Sequence, residues 1–181
     1  EILNVVASVL CRLTFDFGLW SRGTQPILLV CEEAHRYAPA DANLGFEPTK
    51  RALARIAKEG RKYGISLCVV SQRPAEIAPA ILSQCNTTVA FRMNSLRDQE
   101  IVRGIMADTA HGMLDFLPAL GNTEAIVVGE GVPVPLRLRF RQLDIGERPC
   151  GGLRETEVET LKTDRQDFIA AVVARWRRQS P

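Results

Sequence analysis

Five apolar residues, Ile27-Leu28-Leu29-Val30-Cys31, run directly into two carboxylates, Glu32 and Glu33, and then Ala34 and His35. A run without polar alternation reads as a strand buried on both faces, as in a parallel sheet. In open parallel sheets, ligands bind at the carboxyl ends of strands. Consecutive carboxylates at such a tip suit nucleotide hydrolysis: Glu32 would hold Mg2+ through water, and Glu33 would polarise the attacking water. The plain alternative is a solvated pair of glutamates closing a strand.

Two further segments bear on the same chemistry. A second apolar run, Ile65 to Val70, leads into Ser71-Gln72-Arg73-Pro74. A neutral amide at a neighbouring strand tip can hydrogen-bond a γ-phosphate or the attacking water; otherwise Gln72 merely caps a turn. Between the two runs lies Ala57-Lys58-Glu59-Gly60-Arg61-Lys62-Tyr63-Gly64. Arg61 closes a predicted helix, where cations favour the negative end of the helix dipole. Its functional alternative is an arginine finger reaching a neighbour's phosphate.

The elements that must place these residues follow from spacing. Ile2, Val5, Val6, Val9, Leu10 and Leu13 mark one face of a helix over 2–16, which Gly18 is expected to break. Residues 36–48 read as a loop. Thr49 is expected to cap a helix running to about Tyr63, with Gly64 as its stop. A short helix over 80–85 precedes a strand at 87–92. Asn94-Ser95 caps a helix from Leu96 to about Met106. A helical stretch near 111–117 leads to strands at 125–128 and 134–140, which flank a Gly-Glu-Gly turn and look antiparallel. A Gly/Pro-rich joint near 146–152 leads to a helix from about Asp164 to Arg177. The expected fold is α/β: an open, layered, mostly parallel sheet that ends in an antiparallel hairpin, with a C-terminal helix. The division is 1–146 for the sheet domain and 147–181 for a linker and C-terminal helix. Phe168, Ile169, Val172, Val173 and Trp176 give that helix an apolar face, to dock on the domain or on a neighbour.

Composition narrows the field. The 181 residues carry a net charge of +2, are 46% hydrophobic and 24% charged, and suit one domain with a real core. That apolar content argues against disorder. The apolar runs fall far short of the ~18 residues of a membrane span, so no membrane is expected. Of the 23 basic residues only four are lysines, a weak hint of phosphate contacts through arginine. Five unclustered cysteines (Cys11, Cys31, Cys68, Cys85 and Cys150) read as reduced thiols of a cytoplasmic protein. His35 and His111 stand apart from them, which leaves no zinc spacing.

Taken together, strand-Glu-Glu, helix-Gly-Arg-Lys-Tyr-Gly and strand-Ser-Gln-Arg-Pro resemble the HerA/FtsK superfamily of hexameric P-loop ATPases, most of all its HerA-like branch. Leu-Val-Cys-Glu-Glu-Ala-His-Arg-Tyr resembles that branch's Walker B segment, and Glu-Gly-Arg-Lys-Tyr-Gly-Ile-Ser its arginine-finger segment. The resemblance covers about residues 1–140. It implies a RecA-like sheet and an ATP-driven motor that moves along double-stranded DNA through a homo-hexameric ring, often beside a nuclease. Glu32 is then the Mg2+-side carboxylate, Glu33 the catalytic one, Gln72 the sensor, and Arg61 a residue acting in trans. Loops after the strand tips offer Arg36, Arg51 and Arg73 for DNA phosphates.

Two features depart from the pattern. The Walker B aspartate is here Glu32, one methylene longer. The chain also lacks GxxxxGK[ST], since none of Lys50, Lys58, Lys62 and Lys162 follows a glycine. With a start at Glu1 inside a helical pattern, the chain reads as the C-terminal part of something longer, with the phosphate cradle upstream. The other readings are a conjugation or secretion motor, a non-catalytic assembly module with a vestigial Walker B, and an unrelated α/β enzyme with a carboxylate pair.

Overall fold

A computed structural model describes residues 2–41, 43–106, 111–144 and 163–178. Its elements run α1 (Ile2–Trp20), β1 (Ile27–Cys31), α2 (Glu47–Glu59), β2 (Ile65–Val69), α3 (Pro79–Leu82), β3 (Thr87–Phe91), α4 (Leu96–Ile105), α5 (His111–Leu114), β4 (Glu124–Gly129), β5 (Leu136–Arg139) and α6 (Thr163–Arg178). The α/β class is as expected, although among the described residues the strands form two sheets, a parallel pair and an antiparallel trio, in place of a single mostly parallel one. The β1 and β2 strands pair in parallel, with Val30 opposite Cys68. The order β3-β4-β5 forms an antiparallel trio that includes the expected hairpin. Among the described residues β2 pairs only with β1, and β3 only with β4, so each keeps a free edge.

Each strand group has its own core. Around the parallel pair, α1 and α2 contribute Cys11, Phe15, Leu53 and Ile56, which pack with Cys31 and Ile65. Under the trio, Val102 and Met106 meet Ala90, Ile126 and Val128, with Leu114, Leu117 and Leu120 closing the cluster. The groups are tied where the Ala75 N–H donates to the Asp98 carboxylate at 3.0 Å, near the start of α4. The α4 cap is as expected: Ser95 Oγ accepts from the Asp98 N–H at 3.3 Å.

Three local expectations are corrected. Gly18 does not end α1, which runs on to Trp20. That glycine serves a close approach instead: a Cβ there would lie 2.6 Å from Ile65 Cδ1. Thr49 is not the cap of α2, which begins at Glu47 after Phe46; its buried hydroxyl donates to the Asn4 carbonyl at 2.7 Å and ties α2 to α1. The helix also gives way at Gly60 to a 3-10 turn through Tyr63. With Gly18 inside it, α1 is 19 residues long with mean hydropathy 1.6, long and apolar enough to cross a membrane by length and composition. One of its faces is in the core, and Arg55 of α2 stacks 4.0 Å over Phe15. The other exposes Ile2, Val5, Val6, Val9 and Leu10. Helix α6 packs on α1; Val172 is buried, while Trp176 is 38% exposed and leaves an apolar residue for a neighbour. The joint at 146–152 and Cys150 lie outside the described residues.

Burial pushes the Cys11 thiol up to about 11, with a smaller push from the nearby Cys31. The four described cysteines are free thiols, as expected, and a protonated thiol is a poor nucleophile.

Glu124 holds the hairpin. Its carboxylate accepts from the Gly121 N–H at 2.8 Å, Arg137 at 2.6 Å and Arg139 at 2.9 Å. Those hydrogen bonds, the backbone one foremost, bring Glu124 down from 4.5 to about 2. A depressed carboxylate stabilises the fold above its unfolded value and loses that contribution as pH falls through the folded one. Glu124→Gln is therefore expected to melt lower than the native chain by a constant margin above about pH 5. The margin should shrink as pH falls from 4.5 towards about 2. Thermal melts of both proteins across that range check it; a gap independent of pH would refute it.

Candidate functional site

The site is made at the carboxyl ends of β1 and β2. Parallel pairing continues past both strands: the Val70 N–H donates to Cys31 O at 2.9 Å, and the Ala34 N–H to Val70 O at 3.0 Å. For the chain to turn away between those two bonds, Glu33 takes φ 50°, ψ 48°, in the left-handed region. An L-residue there costs about 1 kcal/mol or more. Non-glycine strain of this kind concentrates at functional positions.

That turn brings Glu33 against Gln72. The Gln72 Nε2 donates to Glu33 Oε1 at 3.1 Å, so two of the predicted site residues are in direct contact. Two neighbours were not among the predicted site residues. The Nδ1 of His35 lies 3.3 Å from Glu33 Oε2 and 3.0 Å from Ser71 Oγ. The Ser71 hydroxyl also accepts from the Arg73 N–H at 3.0 Å. His35 therefore joins the Glu33 cluster and not any cysteine. The available signal was its place two residues after Glu33, and that of Ser71 immediately before Gln72. Glu33 Oε2 is buried and makes no hydrogen bond among the described residues.

Glu32 occupies the same strand tip but faces elsewhere. It is exposed and lines an apolar cleft of about 230 Å3 with Leu3, Val6, Leu10, Val30 and Tyr37. Its carboxylate makes no hydrogen bond or ion pair among the described residues. One unengaged hard-oxygen donor suits Mg2+, which keeps several waters and takes its other oxygens from substrate phosphates. No group of three or more His, Cys, Asp or Glu among the described residues could hold a metal without such help.

Arg61 stands apart from all of these. It precedes β2, whereas Gln72 follows it, so the strand separates them by roughly 13 Å at 3.3 Å per residue. Its side chain is 92% exposed, with Glu130 at 4.0 Å as a loose partner. The three arginines considered for DNA differ. Arg51 pairs with Glu47 at 3.0 Å and Arg73 with Glu76 at 2.9 Å. Arg36 makes no ion pair among the described residues and lines a cleft of about 420 Å3 of mixed character, with Asp41, Glu76 and Arg97 among its polar residues.

Fold and site define a class of α/β protein in which a carboxylate and an amide meet at the tips of adjacent parallel strands. Within that class the chain is HerA-like. It is 40% identical over 115 residues to the DNA double-strand break repair helicase HerA of Pyrococcus furiosus, a match covering 64% of this chain and 20% of the relative. The HerA of Sulfolobus acidocaldarius is 34% identical over 151 residues, covering 83% of this chain and 30% of that protein. The chain therefore spans between about a fifth and a third of the length of these relatives. The genome packaging NTPase B204 from Sulfolobus turreted icosahedral virus 2 superposes with a TM-score of 0.49 at 14% identity, over 64% of this chain and 52% of that one. No family model matches the chain.

The left-handed turn makes a prediction for this chain alone. Glycine normally destabilises relative to alanine through the unfolded chain. At position 33 the order should invert, with Glu33→Gly more stable than Glu33→Ala by about 1 kcal/mol. Urea unfolding of the two variants, which lack the carboxylate equally, decides it. Alanine equal or superior to glycine would show that the turn relaxes without cost.

Proposed function

We propose that the chain is the C-terminal portion of an ATP-driven, ring-forming translocase of double-stranded DNA, and that it supplies the hydrolytic side of the nucleotide site. The contact of Glu33 with Gln72 across adjacent strand tips carries this reading. Glu33 orients and accepts a proton from the attacking water, while Gln72 senses the γ-phosphate and holds Glu33 in place. Glu32 would hold Mg2+ through water, and the ion, when bound, would supply charge neutralisation at the phosphates. The likeness to relatives named as helicases supports DNA as the substrate track.

The remaining parts come from other polypeptide. The phosphate cradle lies on an upstream segment that this chain lacks. A two-stranded sheet is marginal in water, and Leu28 and Val30 of β1 are exposed at 64% and 51%. The free edges of β2 and β3 and the bare face of α1 give such a segment sites to pack. Arg61 reaches the nucleotide of the next copy, since in its own copy β2 keeps it away from Glu33. A homo-hexamer is the assembly that suits this arrangement, with a nuclease as a further partner and the cytoplasm as its compartment. Arg36, unpaired among the described residues, is the first choice for DNA phosphate; Arg51, which lies on α2 and not on the expected loop, and Arg73 are weaker ones. Residues 1–146 form part of the ATPase domain, and 147–181 form a linker and docking helix.

A second reading has one observation in its favour. Glu32 replaces the usual aspartate and faces an apolar cleft, which suits an assembly module with a vestigial site. Hydrolysis separates the two. This chain alone is expected to bind ATP poorly and release no phosphate. Joined to its upstream segment, it should hydrolyse ATP faster with duplex DNA, and Glu33→Gln should abolish turnover. Mixing Arg61→Ala with Glu33→Gln subunits should restore part of the activity, because each supplies what the other lacks at a shared interface. Turnover by the short chain alone, or no recovery on mixing, would overturn the respective halves of the scheme.

A further inference from the structure

We propose that His35 and Ser71 are positioning residues for Glu33, holding its carboxylate from the side opposite Gln72; this rests on Glu33 being the group that activates water. Among the described residues, one buried carboxylate oxygen makes no hydrogen bond. Gln72 satisfies Oε1 of Glu33 at 3.1 Å, while Oε2 is buried without a hydrogen bond. Such an atom in a native fold calls for an explanation. His35 Nδ1 lies 3.3 Å from it.

The proton on His35 follows from its surroundings. An ionised carboxylate only accepts hydrogen bonds. Of the two neutral tautomers, the one with hydrogen on Nε2 lets the Ser71 hydroxyl donate to Nδ1 but sets the Nδ1 lone pair against Oε2. The Nδ1–H tautomer instead finds two acceptors, Ser71 Oγ at 3.0 Å and Glu33 Oε2 at 3.3 Å. Ser71 cannot swing away freely, because its hydroxyl oxygen also accepts from the Arg73 N–H at 3.0 Å. The imidazole, only 18% exposed, is thereby held with its donor between the two oxygens.

The consequence is a carboxylate gripped from two directions. Gln72 comes from the neighbouring strand and His35 from Glu33's own turn. Since the backbone at Glu33 is already confined to the left-handed region, few rotamers remain. Neither His35 nor Ser71 touches the nucleotide; both act through the aim of Glu33.

The test uses the parent protein with its upstream segment for turnover, and this chain for spectroscopy. His35→Ala should lower kcat for ATP roughly 10- to 100-fold with KM within about twofold, since aim and not binding is lost. His35→Asn, whose side-chain N–H falls near the Nδ1 position, should recover most of that loss, and Ser71→Ala should lose less than His35→Ala. Nitrogen NMR of the imidazole in this chain should show hydrogen on Nδ1, with resonances that move in Ser71→Ala. A ring with hydrogen on Nε2 alone would overturn the proposal even if His35→Ala failed to fold. So would equal losses in His35→Ala and His35→Asn, with kcat and KM changing together, which marks a merely structural role. If Glu33→Gln abolishes turnover while His35→Ala leaves kcat intact, the positioning inference fails and the function stands. If Glu33→Gln retains turnover, the functional reading itself has failed.

Discussion

The parallel pairing of β1 with β2 does not stop where the strands stop, and the site depends on that. Two backbone bonds, Val70 to Cys31 and Ala34 to Val70, hold the tips together one step further. Glu33 lies between them and must turn the chain, which places it in a conformation that most residues avoid. Without that constraint the Glu33 side chain would follow the alternation of a strand. With it, the carboxylate comes round to the end of β2, where Gln72, Ser71 and His35 converge. The chemistry is therefore a property of a backbone turn as much as of the residue types.

Much of this arrangement was legible from residue types, and the exceptions have physical reasons. Unbroken apolar runs ending in polar residues located both strand tips, although the expected burial on two faces is not met in β1, where Leu28 and Val30 are exposed. Contact between Glu33 and Gln72 followed once the strands were taken as parallel neighbours. The part played by His35 and Ser71 was not visible, since their meeting depends on the register that sets Val30 opposite Cys68. Gly18 misled for a different reason. A glycine in a helical pattern reads as a stop, yet here its missing side chain admits Ile65, and the helix continues. Thr49 likewise carries the chemistry of a cap but spends its hydroxyl on the carbonyl of Asn4.

The apolar surface is unevenly distributed. The inner face of α1 is closed by α2, while its outer face and the Leu28 and Val30 side chains of β1 meet solvent. The antiparallel trio shows the same contrast: Ile126 and Val128 are sealed in its core, whereas Val89 and Phe91 are about half exposed. Both strand groups thus carry a finished side and an unfinished one. Sheets with free edges and bare apolar faces are normally covered in native proteins. That matches a chain spanning only a fraction of its relatives' length.

The position of Arg61 has a geometric corollary. It lies at one end of β2 and the glutamate tip at the other, so each copy is polar along that strand. A contact joining the arginine end of one molecule to the carboxylate end of the next uses two different surfaces. A two-fold pair would form it twice at one interface; joined head to tail, it is heterologous. Copies linked in this way follow one another in a single rotational sense, and the chain of contacts either closes on itself or grows without limit.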